Sequence, residues 1–237
     1  MSGRQPDQRV RTLLSLQRWE RVTFAHWRYP AAVLRAHVPP GLELQTFDGS
    51  AWLGLTPFVL ADLRGPGLPA VPRWSTFAEM NLRTYVTDGE HDGIWFLRVH
   101  CGRRLVSAAF RAGLGLPYHY VPGVVGTQGG TTTYLMGRSR VTVDVGEDVG
   151  QDVGQDVEPD ALTNLLTGRW WAFTSHLGRL WRLPVEHEPW PLRGARLLDL
   201  RTDMVRRAGL PDPEGRPLVH YSPGVGVRVS GPRPAGS

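Results

Sequence analysis

Apolar and polar positions follow two periods along this chain. Between Phe77 and Val86 they alternate, so a strand there would place Glu79, Asn81, Arg83 and Tyr85 on one face and Met80, Leu82, Thr84 and Val86 on the other. Ala51–Leu60 is apolar on both faces and predicts a central, doubly covered strand, with Pro57 implying a bulge or break. Arg103–Ala112 carries its apolar residues at helical spacing, with Gly113 and Gly115 ending the helix. A short helix is expected from Pro30 through Arg35, stopped by Pro39-Pro40-Gly41. Further strands are expected at Leu42–Phe47, Gly93–His100, Thr131–Met136, Ser139–Val143, Arg169–Thr174 and Leu180–Val185, with turns at Asp48-Gly49 and Asp88-Gly89. Short helices are expected at Pro159–Thr167, with Asp160 near its start, and at Thr202–Ala208.

The 28 glycines and 20 prolines divide the chain into short segments, which favours a β-rich fold with tight turns. At 237 residues the chain suits one domain with a sizeable core. Residues 25–229 are assigned to it, with 1–24 as an extension and 230–237 as a flexible tail. The four-residue repeat over 144–158 reads as a flexible acidic loop. Its spacing does not match a calcium-binding EF-hand.

Charge narrows the chemistry. All 27 cationic side chains in the Lys+Arg total are arginines. Lysine Schiff bases, lysine general bases and the P-loop lysine are therefore excluded. The formal charge is +5, yet seven of the 22 acids fall within 144–160, leaving a strongly basic remainder. The arginines are scattered without a basic run, so a nucleic-acid partner is not expected. The single Cys101 excludes an intramolecular disulfide. No segment approaches the roughly 20 apolar residues of a membrane helix, and no signal-peptide pattern opens the chain, so a cytoplasmic protein without a membrane partner is expected. Self-association into a homo-oligomer is left open.

The row Glu79-Asn81-Arg83-Tyr85 has two readings. It faces solvent, with Glu79 pairing Arg83 along the strand, or it lines a barrel cavity. Inside a cavity, Arg83 would offer a planar fork to a carboxylate and Glu79 would be tuned for acid–base work. Tyr118 and His119 are adjacent, so at most one enters a given cavity. Either would serve as partner acid or base. Arg111, His187 and Trp190 complete the candidate substrate-binding set with Asn81, Arg83 and Tyr85. His26, His100, His119 and His187 have no recognised zinc-ligand spacing, and no metal or cofactor is expected.

Several segments, in order, resemble the YqjF-like family: A-H-W-R-Y-P, V-P-P-G-L-E-L-Q-T-F-D-G-S-A-W, F-A-E-M-N-L-R-T-Y-V, G-L-P-Y-H-Y, L-T-G-R-W, E-H-E-P-W-P-L and H-Y-S-P-G-V. That family is similar to the acetoacetate decarboxylases. The resemblance implies a mainly β (α+β) fold, a single antiparallel, cone-like barrel with a few flanking helices. It implies an inward Glu79 and a keto-acid-like ligand. It also marks two departures. Tyr118 and His119 stand where the decarboxylases carry their two lysines, and His100 stands where the family usually has an aspartate. Two functions follow: an enzyme using enolisation, hydration/dehydration or aldol-type cleavage without an imine, or a protein that binds or senses a small anionic metabolite. A third reading treats the pocket as vestigial and the fold as an interaction module.

Overall fold

The computed structural model describes residues 5–145, 156 and 159–235. Seven strands close into a barrel. They are β1 (Leu13–Tyr29), β3 (Ala51–Arg64), β4 (Phe77–Thr87), β5 (Asp92–Cys101), β10 (Trp171–His176), β11 (Arg179–His187) and β14 (Leu218–Ser230). β1, β3, β4 and β5 pair in succession and β10 follows; β11 then meets β14, which returns to β1. Short strands β2 (Glu43–Leu44), β6 (Tyr118–Tyr120), β12 (Arg193–Gly194) and β15 (Arg233–Pro234) lie along this sheet. A second sheet contains β7 (Gly123–Gln128), β8 (Thr131–Met136), β9 (Ser139–Asp144) and β13 (Arg196–Arg201), in the order β13-β9-β8-β7. The helices are α1 (Ala31–Arg35), α2 (Arg104–Leu114), α3 (Ala161–Thr167) and α4 (Met204–Arg207).

The alternation in β4 separates two cores. Ala78, Met80 and Leu82 point out of the barrel and pack with Trp27, Leu53, Tyr134, Met136, Val141 and Val143 beneath the second sheet. The opposite face turns into the barrel, where Phe24, Phe58, Val99, Val185, Trp190 and Val227 form the inner core. Both faces of β4 are thus covered, which explains why Phe77–Val86 is buried throughout.

Pro57 sits within a continuous β3, opposite Met80. The expected irregularity falls in the neighbouring strand: between Glu20↔Val59 and Ala25↔Leu55, β1 carries one residue more than β3. Arg21, in that stretch, has φ 50°. A bulge there removes the regular ladder beside the proline.

The join between β5 and β10 is short. Only Ala172↔Ile94 and Phe173↔Trp95 pair across it. Gly93 allows this approach, because a Cβ there would stand 2.6 Å from the Trp171 carbonyl oxygen. Farther along β5, β6 takes the free edge in parallel, matching Val99 with Tyr118 and His100 with His119. α2 leads into β6 through Gly115, whose φ of 68° provides the left-handed helix end.

Three segments differ from the sequence pattern. Residues 13–24 belong to β1 and are part of the barrel rather than an extension. Leu218–Ser230, inside the assigned domain but with no strand predicted for it, is the strand that closes the barrel. Within 230–237, Arg233 and Pro234 pair with Arg182 and Trp181, and the last two residues lie outside the described region. Most of the acidic repeat also lies outside it; Asp156 makes a bridge to Arg193.

Candidate functional site

The barrel encloses a cavity of about 100 Å³, and three members of the polar row line it. Their exposures are 4% for Glu79, 5% for Asn81 and 7% for Arg83, so the row does not face solvent. The cavity wall is otherwise largely aromatic and aliphatic, including Phe24, Phe58, Leu116, Val185 and Trp190. Such a lining, with a few convergent polar groups, is the usual make-up of a small-molecule site.

Glu79 marks one end. The Tyr118 hydroxyl donates to its Oε1 at 3.2 Å, while Oε2 has no hydrogen-bond partner. Burial raises the carboxyl pKa to about 8, with the Tyr118 bond acting in the opposite direction. Tyr118 is itself held well above its ordinary range by burial and by Glu79. Both groups therefore carry protons at neutral pH. Cys101, opposite Glu79 in the sheet, is pushed up to about 12 by burial and by the nearby carboxyl.

Arg83 marks the other end. Its guanidinium lies 5.5 Å from the Phe24 ring centre and reaches the Leu166 carbonyl oxygen at 3.5 Å. That oxygen already accepts from the Tyr85 hydroxyl at 2.9 Å. The carbonyls at the C-terminal end of α3 carry partial negative charge, which favours a cation there. Arg83 Nε has no partner, and no carboxylate among the described residues is in ion-pair contact with Arg83. Arg169 also lines the cavity, donating to Leu165 O at 2.5 Å and to Gln45 Oε1 at 2.8 Å. Burial lowers its pKa to about 10, which leaves it charged. With Glu79 protonated, the permanent charge around the cavity is positive.

His187 and Trp190 both line the cavity. The His187 ring packs 4.6 Å from Trp190 and 4.5 Å from Trp170, and its Nδ1 meets the Glu188 carbonyl oxygen at 2.6 Å. Burial lowers its pKa to about 4 against the opposing influence of Glu188, so it is neutral. The Trp190 indole donates to Thr167 O at 3.0 Å.

Three candidates are set apart from the cavity. Because β6 pairs in parallel with β5, Tyr118 shares the inward face of Val99, and His119 shares the outward face of His100. Outside the barrel, His119 is depressed by burial and by Arg98, Arg111 and Arg207. Arg111 is exposed on α2. Tyr85 is buried behind the cavity against Leu166, where it orients the neighbourhood of Arg83. Conversely, Thr56, Thr167 and Arg169 line the cavity without having been singled out. Arg169 had a usable signal, being the lone charge in T-G-R-W-W-A-F-T. Among the described residues, no group of three or more His, Cys, Asp or Glu side chains is arranged to hold a metal. No helix among the described residues is long and apolar enough to cross a membrane.

Comparison with known proteins extends this picture. The profile of DUF2071, described as "Uncharacterized conserved protein (COG2071)", matches residues 16–226. The chain belongs to this family. It is 34% identical over 209 residues to "Uncharacterized protein YqjF" of Bacillus subtilis (strain 168), covering 87% of this chain and 86% of that one. In the DUF2071 chain described here, the fold also matches solved structures. An acetoacetate decarboxylase-like enzyme from Sphingomonas wittichii RW1 aligns over 94% of both chains, with a TM-score of 0.62 and 15% identity. The enduracididine biosynthesis enzyme MppR, complexed with the condensation product of pyruvate and imidazole 4-carboxaldehyde, aligns over 94% of this chain and 90% of its own. Its TM-score is 0.64 at 14% identity. Acetoacetate decarboxylase from Legionella pneumophila gives 0.65 at 10% identity, over 97% and 90% of the two chains. At these identities the likeness is one of fold.

Proposed function

We propose that the cavity binds a small organic acid bearing a carbonyl group and promotes proton transfer beside that carbonyl. Arg83 receives the carboxylate through its charged fork. Glu79 exchanges a proton with the carbonyl oxygen or the adjacent carbon, and Tyr118 positions its carboxyl group. The observation that carries this reading is the pairing of two buried ends in one apolar cavity, one cationic and one bearing a tuned proton. Enolisation, hydration or dehydration, and aldol-type cleavage need no more than these groups. The chemistry proceeds without an imine, because no side-chain amine exists in the chain. The pyruvate complex of the fold relative MppR supports an oxo acid as the ligand class.

Deuterium exchange tests the assignment. Purified protein is incubated in deuterated water with a panel of oxo acids, and loss of the protons beside the ketone is followed by NMR. Glu79→Gln is expected to abolish catalysed exchange while retaining ligand affinity; unchanged exchange refutes the role of Glu79. A second reading, a non-catalytic binding or sensing protein, is favoured by one observation: at neutral pH both Glu79 and Tyr118 hold their protons, so little base is ready in the cavity. Ligand retention without exchange in the wild-type protein assigns that role.

A further inference from the structure

The polar groups of the cavity differ in what they require of a ligand. Arg83 only donates hydrogen bonds, and protonated Glu79 donates through its carboxyl hydroxyl. A carboxylate and a ketone answer these two groups, because both accept. Two further polar residues lie on the same wall. Thr56, which carries the one hydroxyl in the apolar run 51–60, stands directly opposite Asn81 in the register of β3 and β4. Cross-strand neighbours on one face have Cβ atoms about 4.5–5.5 Å apart. Both residues line the cavity, at 2% and 5% exposure.

The Thr56 hydroxyl and Asn81 Oδ1 are both buried without a hydrogen-bond partner, so the two side chains do not satisfy each other. Oxygens left unmet within an apolar wall are costly. Asn81 Oδ1 only accepts, and neither the carboxylate nor the ketone of an oxo acid supplies it with a proton. An ammonium group would, but Arg83 and Arg169 keep the cavity cationic and oppose one. A neutral hydroxyl suits the pair, because it donates to Asn81 Oδ1 while accepting from the Thr56 hydroxyl. Asn81 falls between Glu79 and Arg83 on the inward face of β4, so a hydroxyl seated there belongs to the same ligand. The cavity of about 100 Å³ has the volume of about three waters, which restricts that ligand to a compact acid of roughly three or four carbons.

We infer that Thr56 and Asn81 form a hydroxyl-binding pair and that the ligand is a short oxo acid bearing a hydroxyl group. This rests on the functional reading above and narrows its substrate class from simple oxo acids to hydroxylated ones.

Hydroxypyruvate and 2-oxobutanoate test the inference, because they differ only by a hydroxyl in place of a methyl group. Isothermal titration of the full chain is expected to show hydroxypyruvate binding about 10- to 100-fold more tightly, the range that follows from leaving a buried polar group unmet. Thr56→Val and Asn81→Leu are each expected to cut this ratio at least about fivefold. Thr56→Val is also expected to keep the urea midpoint of the unliganded protein, since no protein hydrogen bond is lost. Equal binding of the two acids by the wild-type protein, or tighter binding of 2-oxobutanoate, overturns the hydroxyl inference and leaves the broader oxo-acid reading standing. Wild-type protein that binds neither acid overturns both. A ratio that survives in both folded variants overturns the placement at Thr56 and Asn81. A midpoint lowered by Thr56→Val overturns that placement too, by showing that the hydroxyl already has a protein partner.

Discussion

Replacing Glu79 by glutamine should make the protein more stable, and increasingly so as pH rises. Below the ordinary carboxyl pKa of 4.5, Glu79 is protonated in both the folded and unfolded chains, so it contributes no pH dependence. Between 4.5 and about 8 the unfolded chain releases the proton while the folded barrel retains it. The folded state binds more protons over this interval, and rising pH therefore favours unfolding. At about 1.4 kcal/mol per pH unit the accumulated penalty is about 5 kcal/mol, an upper limit for a rigid, dry cavity. Above pH 8 both states are ionised and the penalty is constant. Glutamine has nearly the same shape and does not ionise. The difference between Glu79→Gln and wild type is thus expected to grow from pH 4.5 to 8 and then level off. For a chain of this length that corresponds to a rise of about 10–20 °C in Tm. Urea unfolding and thermal scans at whole-pH steps from 4 to 9 measure it. Parallel wild-type and variant curves across that range would refute the burial argument for Glu79.

The same titration governs the proposed exchange reaction: its rate should rise about tenfold per pH unit toward pH 8 and flatten beyond it, as the base form accumulates. Tyr118→Phe removes the bond that lowers the Glu79 pKa and should move this inflection to higher pH, with the displacement read directly from the exchange profile. Arg83→Met should weaken carboxylate ligands by at least about 30-fold in calorimetry, since a buried charge partner is lost, without lowering the urea midpoint of the unliganded protein. Asp160 accepts from the Thr163 amide at 2.7 Å as the α3 cap, so Asp160→Ala should cost about 1 kcal/mol in urea unfolding and leave cavity ligand affinity unchanged.

The alternation of Phe77–Val86 carried real information about the site, because period-two patterning keeps Glu79, Asn81 and Arg83 on one face whatever covers that face. It could not distinguish cavity from solvent. That difference depends on the second sheet covering Met80 and Leu82, a long-range packing arrangement. Likewise, adjacency alone separated Tyr118 from His119, but the parallel pairing of β6 with β5 selected Tyr118 for the interior. The first residues of β1 were obscured by polar side chains: Ser15 and Gln17 turn inward to the cavity while Arg18 and Glu20 pair on the surface. In β14, Val225, Val227 and Val229 alternate as strand residues, but Pro223, Gly224 and Gly226 interrupt the pattern enough to hide the strand. A strand held on both sides tolerates such breaks because its neighbours supply the ladder.

The closure by β14 has a consequence during synthesis. β1 emerges from the ribosome early, but the partner that covers one of its edges begins only at Leu218. At about 5–20 residues per second, β1 waits on the order of 10–40 s for that partner. Throughout this interval its row of unpaired amides and carbonyls is open to a neighbouring nascent chain. Ribosome spacing and chaperone access therefore bear on whether the newly made chain closes on itself or aggregates through that edge.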